Sequence, residues 1–443
     1  MFEPEKGGRN RIVLFCLNLL CVSTLSCTLP FFGRARTGIV GPPSLRVDFN
    51  SASASANLIW ERPEIRGFRN YRVERLTDSA DFEVVAEVGD KTDTTHVDRD
   101  LLANTVYRYR IVTVFSPEKE GKEQVLASTT VEGGIHRFIN SWSLPEDFLP
   151  TRIVIDDYGV LHVVGAGAGF VQRYDRGGNE MGRWLFSIEV NALLETATLD
   201  GPAVAIGPEG SVFVVYNSFV AGGKPRPKWA KFDADGDLLW KRPLETVFAR
   251  HIALDGERIV VESISQLHEF DYDGELLARH PIPPLMVSSI AFWEGAFAAL
   301  VEPLGFDTVG WQAPRVVVYT GPQRNQVERV YGRDPLSPED RGAGLLHRPS
   351  DFAFDNPTNR VFVVNAGRDR IEVFRDQRYL TRWGCNGDGF ACFDFSGKMM
   401  VLDDVIMGTR REQDVVAGGI ARDRQGYVYV ADTFNNRIQK FQP

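Results

Sequence analysis

The chain has 443 residues, 43% of them hydrophobic, and its 59 acidic side chains outnumber its 50 Lys and Arg to give a net charge of −9. This apolar content argues against a disordered chain, and the length exceeds what one hydrophobic core usually serves. The charge is modest and both signs are interspersed, which opposes a nucleic-acid partner because such a partner needs a basic stripe. We therefore expect two folded domains and no nucleic acid.

The first segment predicts export. Basic residues precede the apolar run 12–22, which resembles a secretory leader and is too short to span a bilayer. Thr24-Leu-Ser-Cys27 resembles a bacterial lipobox, although Thr24 stands where leucine is commoner. The resemblance implies a lipoprotein signal peptide over 1–26, diacylation (palmitate or a similar chain) of Cys27, and attachment to the membrane of the bacterial cell envelope; Thr28 favours the outer membrane, on its periplasmic or surface face. An ordinary signal peptide with an incidental cysteine is the alternative.

Residues 27–43 are rich in proline and glycine and predict a linker. About seven short alternating runs follow within residues 44–132, a number and spacing that favour a β-sandwich. The runs are Leu45 with Val47, Leu58 with Trp60, Tyr71 with Val73, Phe82 with Val84, Thr95 with Val97, Tyr107 to Ile111, and Leu126 to Val131.

This segment resembles a fibronectin type III domain, most specifically at Trp60 and in Thr105-Val-Tyr107. The resemblance implies that Trp60 lies in the core and that the Tyr107 hydroxyl bonds back to the chain. No Arg-Gly-Asp triplet occurs in the sequence, so integrin binding has no support.

The rest of the chain repeats a three-strand pattern, and the repetition predicts a β-propeller. The last copy runs from Gly418 to Phe441 and matches an earlier copy from Pro349 to Phe374 almost position by position. Four weaker copies begin near Arg152, Ala203, His251 and Ser289, which makes six units. Asp235-Gly236 and Asp273-Gly274 predict two-residue turns into a fourth strand. The last unit has no fourth strand of its own, so we expect residues 136–142 to complete it and close the ring.

Val428-Tyr-Val-Ala-Asp432 and Asn436-Arg437-Ile-Gln-Lys-Phe441 resemble the NHL repeat, and Trp383-Gly384 with Gly387-Asp-Gly389-Phe390 resembles its inter-blade loop. The resemblance covers residues 134–443 and implies a six-bladed NHL-repeat β-propeller. It also implies a structural, charge-assisted bond between Asp432 and Arg437. In the fifth unit the pair becomes Asn365 and Arg370, so we expect a weaker bond there.

Apart from Cys27, the mature chain has one pair of cysteines, Cys385 and Cys392. A close pair in an exported protein favours a disulfide. Metal binding would need more ligands than the nearby Asn386, Asp388 and Asp394 offer, and free thiols are the other alternative.

The sequence offers no convincing catalytic constellation. Propeller enzymes place a base or metal ligands where the innermost strands begin, and the residues there are Thr151, Ala203, His251, Ser288, Ser350 and Gly418. A catalytic zinc needs three protein ligands, whereas only one of these six residues, His251, is a histidine. We expect no metal and no cofactor; Arg152, His251 and Asp351 remain candidates for an axial mouth. If three or more ionisable groups or a metal converge there, the scaffold interpretation fails, whereas a mouth lined by Thr, Ser and aliphatic residues would exclude the enzyme.

Two insertions interrupt the repeats, and long loops on a rigid scaffold often carry recognition. Residues 302–312 contain Phe306 and Trp311, and residues 396–408 contain Met399, Met400, Leu402, Ile406 and Met407. A Met-rich run suits adaptable contacts, but it can equally pack on the propeller or pair as an extra strand. The sequence thus predicts a lipid-anchored scaffold that binds a protein or glycan through its propeller, with an axial hydrolase or lyase as the alternative.

Overall fold

The computed structural model describes residues 42–50, 53–77, 81–102, 107–116, 122–146, 148–166, 168–186, 202–218, 226–246, 248–263, 266–281, 286–303, 312–320, 326–337, 342, 344–404 and 409–442, with the side chains of 399–404 and 409–414 left out. Cys27 and the leader lie outside these residues. The described residues form strands and three short 3₁₀ turns, Pro208–Gly210, Asn356–Thr358 and Ala366–Arg368, which confirms the all-β prediction. In this part of the chain no helix has the length and apolar character needed to cross a membrane.

The N-terminal domain consists of two antiparallel sheets. Their strands are β1 (Leu45–Asn50), β2 (Ser55–Trp60), β3 (Phe68–Leu76), β4 (Glu83–Val88), β5 (Thr95–Asp98), β6 (Tyr107–Phe115), β7 (Gln124–Ala127) and β8 (Val131–Gly133). One sheet has the order β1-β2-β5 and the other β4-β3-β6-β7, with β8 also on β6. Trp60, Tyr71 and Tyr109 lie in one core between them, and the Tyr107 hydroxyl accepts a hydrogen bond from the Leu102 amide at 2.7 Å.

The prediction of one strand from Leu126 to Val131 is wrong, because the chain leaves the sheet between β7 and β8. The Ile111 amide donates to the Ser128 side-chain oxygen at 2.9 Å, while the Ser128 amide donates to the Ile111 carbonyl. The Ser128 side chain therefore replaces a backbone carbonyl as the acceptor for the Ile111 amide, and the regular backbone pairing with β6 stops there.

Six four-stranded antiparallel sheets follow in the described part of the chain. The first contains β10 (Pro150–Ile155), β11 (Leu161–Gly165), β12 (Phe170–Tyr174) and β13 (Glu180–Leu185). The second contains β14 (Ala203–Ile206), β15 (Val212–Ser218), β16 (Arg226–Phe232) and β17 (Leu238–Pro243). The third contains β18 (His251–Leu254), β19 (Ile259–Ser263), β20 (Gln266–Phe270) and β21 (Leu276–Pro281). The fourth contains β22 (Met286–Trp293), β23 (Ala296–Glu302), β24 (Arg315–Thr320) and β25 (Gln326–Tyr331). The fifth contains β26 (Asp351–Asp355), β27 (Arg360–Asn365), β28 (Arg370–Arg375) and β29 (Arg378–Trp383).

The sixth sheet joins the two ends of this domain. It contains β32 (Gly419–Arg422), β33 (Val428–Asp432), β34 (Arg437–Gln442) and, as its outer strand, β9 (Arg137–Ser143). In this pairing Phe441 lies opposite Phe138 and Ile438 opposite Trp142. The first strands β10, β14, β18, β22, β26 and β32 contact one another in a closed ring, which is the arrangement of a β-propeller.

Each pair of neighbouring sheets encloses its own apolar core. Between the fifth and sixth sheets the core includes Phe362, Trp383, Phe393 and Phe441. A comparable cluster lies between each of the remaining five neighbouring pairs of sheets. The central strands are therefore buried on both faces, which explains continuous apolar runs such as Val361–Val364.

The turns into the fourth strands are longer than predicted. Five residues, from Asp233 to Asp237, connect β16 to β17, and an extra residue, Leu239, shifts the register just after the turn. The Asp233 carboxylate accepts the backbone amides of Asp235, Gly236 and Asp237. Gly236 has φ +98°, so the glycine is needed for a left-handed residue within a five-residue turn and not for a two-residue turn.

The insertion at 396–408 extends into a hairpin of β30 (Ser396–Asp404) and β31 (Thr409–Val416). This is the extra-strand alternative for the Met-rich run. Both domains belong to one compact unit, Gly41–Pro443.

Candidate functional site

The mouth of the axial channel is the candidate site, and it is built from equivalent residues of the six first strands. They pair with equivalent residues of the second strands, Val164, Val215, Glu262, Leu300, Val364 and Ala431, and are Arg152, Ala203, His251, Ser289, Asp351 and Gly419. The predicted positions Thr151, Ser288, Ser350 and Gly418 are each one residue too early. The structure brings the three predicted mouth residues, Arg152, His251 and Asp351, to this ring together with Ser289.

His251 is buried and electrically neutral. Its Nε2 lies 3.1 Å from the Val287 carbonyl, which can only accept, so Nε2 carries the proton and Nδ1 is an acceptor. Burial, followed by the positive charges of Arg152 and Arg250, holds the pKa of His251 well below its usual range. Glu262 lies 4.0 Å from Nε2 but is paired with Arg250 at 2.6 Å.

Arg152 crosses the channel from the first sheet to the fourth. Its Nη2 donates to the Ser288 carbonyl at 2.8 Å and approaches His251 Nδ1 at 3.4 Å, which fits the neutral tautomer. Its Nη1 donates to its neighbour's carbonyl, that of Thr151, at 3.0 Å. The guanidinium therefore links three of the six sheets.

Asp351 links the fourth, fifth and sixth sheets. Its Oδ1 accepts the Ser289 hydroxyl at 2.6 Å, and its Oδ2 accepts the Ile420 amide at 3.0 Å. Burial raises the pKa of Asp351, and the nearby Arg152 charge and these hydrogen bonds oppose that rise. Each carboxylate oxygen thus accepts one hydrogen bond from the protein.

Beyond this polar ring the side chains that line the channel are mainly aliphatic and aromatic. A cavity of about 310 Å³ is lined by the six first strands, with Ile153, Ile252 and Phe352 among the lining residues. Within the described part of the chain, no three His, Cys, Asp or Glu side chains are placed to hold a metal ion. The mouth does bring three ionisable groups together, which is the outcome expected of an enzyme and not of a scaffold, although His251 and Asp351 both form hydrogen bonds with other protein groups.

Sequence reasoning missed Ser289 and the buried pair Arg250 and Glu262. The sequence did contain a signal for Ser289, because alignment of the repeat units puts it in register with His251 and Asp351. The Arg250–Glu262 pair had no such signal, since neither residue lies at the ring position.

The other predicted site residues are less central. Phe306, Trp311, Ile406 and Met407 lie outside the described residues, as does Cys27. Met399, Met400 and Leu402 lie on β30, but their side chains are not described. Cys385 and Cys392 are joined by a disulfide with a Cα–Cα distance of 4.4 Å.

The Asp432–Arg437 bond is present, and the fifth-sheet counterpart differs from its prediction. Asp432 accepts Arg437 Nε at 2.7 Å and Gln439 Nε2 at 3.0 Å. In the fifth sheet Arg370 pairs instead with Glu372 at 2.6 Å, and Asn365 donates to Glu372 at 3.1 Å. The carboxylate and the amide have exchanged positions between the two sheets. The arginine of the fifth sheet therefore keeps a charged partner, Glu372, instead of forming a weaker bond with Asn365.

Acid should destabilise the protein through its buried histidines. Burial lowers the pKa of His136, His162, His251 and His268. An unfolded histidine takes up a proton below a pKa of about 6.5, and the folded state does not, so stability is retained above pH 6.5 and lost as pH falls below it. Each such histidine adds a slope of about 1.4 kcal/mol per pH unit.

The measurement is urea unfolding of wild type and His251→Gln from pH 7.5 to 5.5. We expect the slope of the unfolding free energy against pH to be shallower in the variant by up to about 1.4 kcal/mol per pH unit. Equal slopes would mean that His251 takes up its proton in the folded protein.

The fold defines an all-β protein of the propeller class. No protein-family model matches the chain, and no curated protein sequence matches it. Among solved structures it is similar to virginiamycin B lyase of Staphylococcus aureus, with 13% identity over 69% of this chain and 98% of the other and a TM-score of 0.41. It is also similar to Kuenenia stuttgartiensis hydrazine synthase, with 12% identity, coverage of 76% and 92%, and a TM-score of 0.40. The WD40 domain of Neurospora crassa Pan2 has 12% identity, coverage of 70% and 95%, and a TM-score of 0.38. Identities this low concern the fold alone.

Proposed function

We propose that this chain is an exported lipoprotein, anchored in the outer membrane through Cys27, that acts as a binding scaffold for a protein or glycan of the cell envelope. It carries a fibronectin type III domain as a spacer and a six-bladed NHL-type propeller as the binding domain. The leader, the lipobox and the repeat pattern support this proposal, as does the ring of six four-stranded sheets.

The observation that carries the scaffold proposal is that the polar side chains of the axial mouth form hydrogen bonds with other protein groups. Arg152 donates to the Ser288 carbonyl and approaches His251 Nδ1, and both oxygens of Asp351 accept a hydrogen bond from the protein. These contacts link the first, third, fourth, fifth and sixth sheets, which is a structural task.

Ion pairs join the spacer to the propeller. Glu132 pairs with Arg108 of its own domain and with Arg375 of the fifth sheet, both at 2.5 Å. Asp48 pairs with Arg46 at 2.8 Å and with Arg382 at 3.2 Å. Two carboxylates thus each bridge the domains.

The first test separates anchoring from binding. Cys27→Ser should move the protein from the membrane fraction to the soluble fraction of the producing cells and abolish labelling by palmitate. Membrane association that persists in the variant would contradict the lipid anchor. Affinity capture with crosslinking then asks where a partner contacts the chain.

The second test removes the β30–β31 hairpin. Gly397 and Val415 are paired across its base, so residues 398–414 can be replaced by an Asn-Gly turn without separating the strand ends. We expect this variant to lose the crosslinked partner, whereas Leu239→Ser/Leu277→Ser, on exposed apolar positions of two outer strands, should retain it. Undiminished recovery would assign the hairpin a structural role.

A hydrolase or lyase with an axial active site is the second candidate, and the meeting of three ionisable groups at the mouth favours it. Such an enzyme needs a reactive His251. Labelling with diethyl pyrocarbonate, mapped by mass spectrometry, distinguishes the two: a scaffold leaves buried His251 unmodified while exposed His347 reacts. Modification of both in the native protein would favour the enzyme.

A further inference from the structure

We propose that the groove between the N-terminal domain and the fifth sheet binds an extended acidic segment of a partner protein; this rests on the proposed scaffold function and names its partner's chemistry. The junction groove, as we call it, has a volume of about 1410 Å³ and is lined by β1, β8 and β29 together with Leu76, Phe82 and Arg108. Its lining residues are separate from those of the axial channel.

The groove is strongly basic in an acidic protein. Six arginines line it against three carboxylates, Asp48, Glu132 and Asp376, whereas the whole chain carries a net charge of −9. The arginines are Arg46, Arg108, Arg370, Arg375, Arg378 and Arg382. A concave surface of one sign concentrates ligands of the other sign.

Arg370 is paired with the buried Glu372, but the three lining carboxylates do not neutralise the other five arginines. Glu132 is shared by Arg108 and Arg375, and Asp48 is shared by Arg46 and Arg382, so each holds two guanidinium groups in place. Arg378 is exposed at the start of β29 and makes no ion pair with any residue that the structure describes. Each guanidinium has five N–H donors in a planar fork that fits a carboxylate, so the shared arginines keep donors for a ligand.

Apolar side chains alternate with these charges. Leu45, Val47, Leu76, Phe82 and Val131 are all part-exposed in the groove. Inorganic phosphate would make no use of them, and a uronate polysaccharide would make little. A peptide that carries both carboxylates and apolar side chains can satisfy the two kinds of surface together, and this favours an acidic peptide over an acidic glycan.

The test uses the full mature chain and a short fluorescent peptide of alternating glutamate and leucine. Arg46→Glu/Arg378→Glu reverses two charges, on a side chain that is 65% exposed and on one at an exposed position. The matched control is Arg183→Glu/Arg424→Glu, which makes the same change at exposed positions outside the groove. Thermal unfolding of both variants verifies the fold, and Arg46→Gln/Arg378→Gln serves if the charge reversals disturb it.

We expect peptide affinity, measured by anisotropy, to fall about tenfold or more in the groove variant and less than about twofold in the control, and to weaken with salt. Equal losses of peptide affinity in both variants would show that the peptide responds only to the net charge of the protein, and would overturn the proposal. Tighter binding of polygalacturonate than of the peptide would assign the groove to an acidic glycan instead. Partner capture that survives the groove variant but not hairpin removal would reject the groove while leaving the scaffold function standing.

Discussion

Asp432→Asn should cost the protein about 3–5 kcal/mol of unfolding free energy, because it removes the counter-charge of a buried guanidinium. The Asp432 side chain is fully buried and that of Arg437 is 13% exposed. Besides Arg437 and Gln439, the carboxylate accepts the Asp394 amide at 2.8 Å and Asn435 Nδ2 at 3.0 Å. Burial raises the pKa of Asp432 in spite of these donors, so the charged form depends on all of them.

The fifth sheet suggests how to rescue this variant. There Asn365 and Glu372 occupy the positions of Asp432 and Gln439 with the charge exchanged. Asp432→Asn/Gln439→Glu should therefore recover about half of the loss, as a coupling of about 1–3 kcal/mol between neighbouring residues. Recovery should stay incomplete, since Gln439 Nε2 also donates to the Cys392 carbonyl at 2.6 Å and glutamate cannot.

Denaturant unfolding of the two single variants, the double variant and wild type measures this coupling. Asp157→Asn is the control, because Asp157 is 69% exposed and its pair with Arg424 lies on the surface; we expect a change below about 1 kcal/mol. Additive losses in the double variant would show that the two sheets do not use interchangeable charge arrangements.

Phe441→Ala should cost about 3–5 kcal/mol, although the residue is third from the end of the chain. The last residues of a domain usually tolerate change unless they are tied into the structure. Phe441 is fully buried in the core between the fifth and sixth sheets, where its ring contacts Trp383, Phe393 and Phe138. It lies on β34, the strand that pairs with β9 to close the ring.

The same unfolding measurement checks this prediction, with Tyr158→Ala, at a side chain that is 77% exposed, as the control. We expect Phe441→Ala to lower the denaturant midpoint strongly and the control to leave it nearly unchanged. A Phe441→Ala effect as small as that of Tyr158→Ala would mean that ring closure contributes little to stability.

The strand pattern was predictable because it depends on neighbouring residues. Alternation in segments such as Arg360–Asn365 and the aspartate-glycine turns identify strands and their ends locally. The closing strand followed from a count, since the last unit offers three strands where the others offer four. Turn length was mispredicted at Asp233–Asp237, where the Asp233 carboxylate binds three backbone amides of a longer turn.

By itself, then, the sequence determined that the chain is all β and that its C-terminal part consists of repeats. It also determined that the two ends of the repeat region meet in one sheet. Periodicity and turn chemistry are short-range properties, and the sequence alone therefore shows them. Only the tertiary structure decided what the polar residues do. Arg152 meets the Ser288 carbonyl from 136 residues away, and Arg382 meets Asp48 across 334 residues. Such contacts depend on how the sheets pack around the ring and against the N-terminal domain, and that packing joins the polar side chains of the axial mouth and gathers arginines in the junction groove.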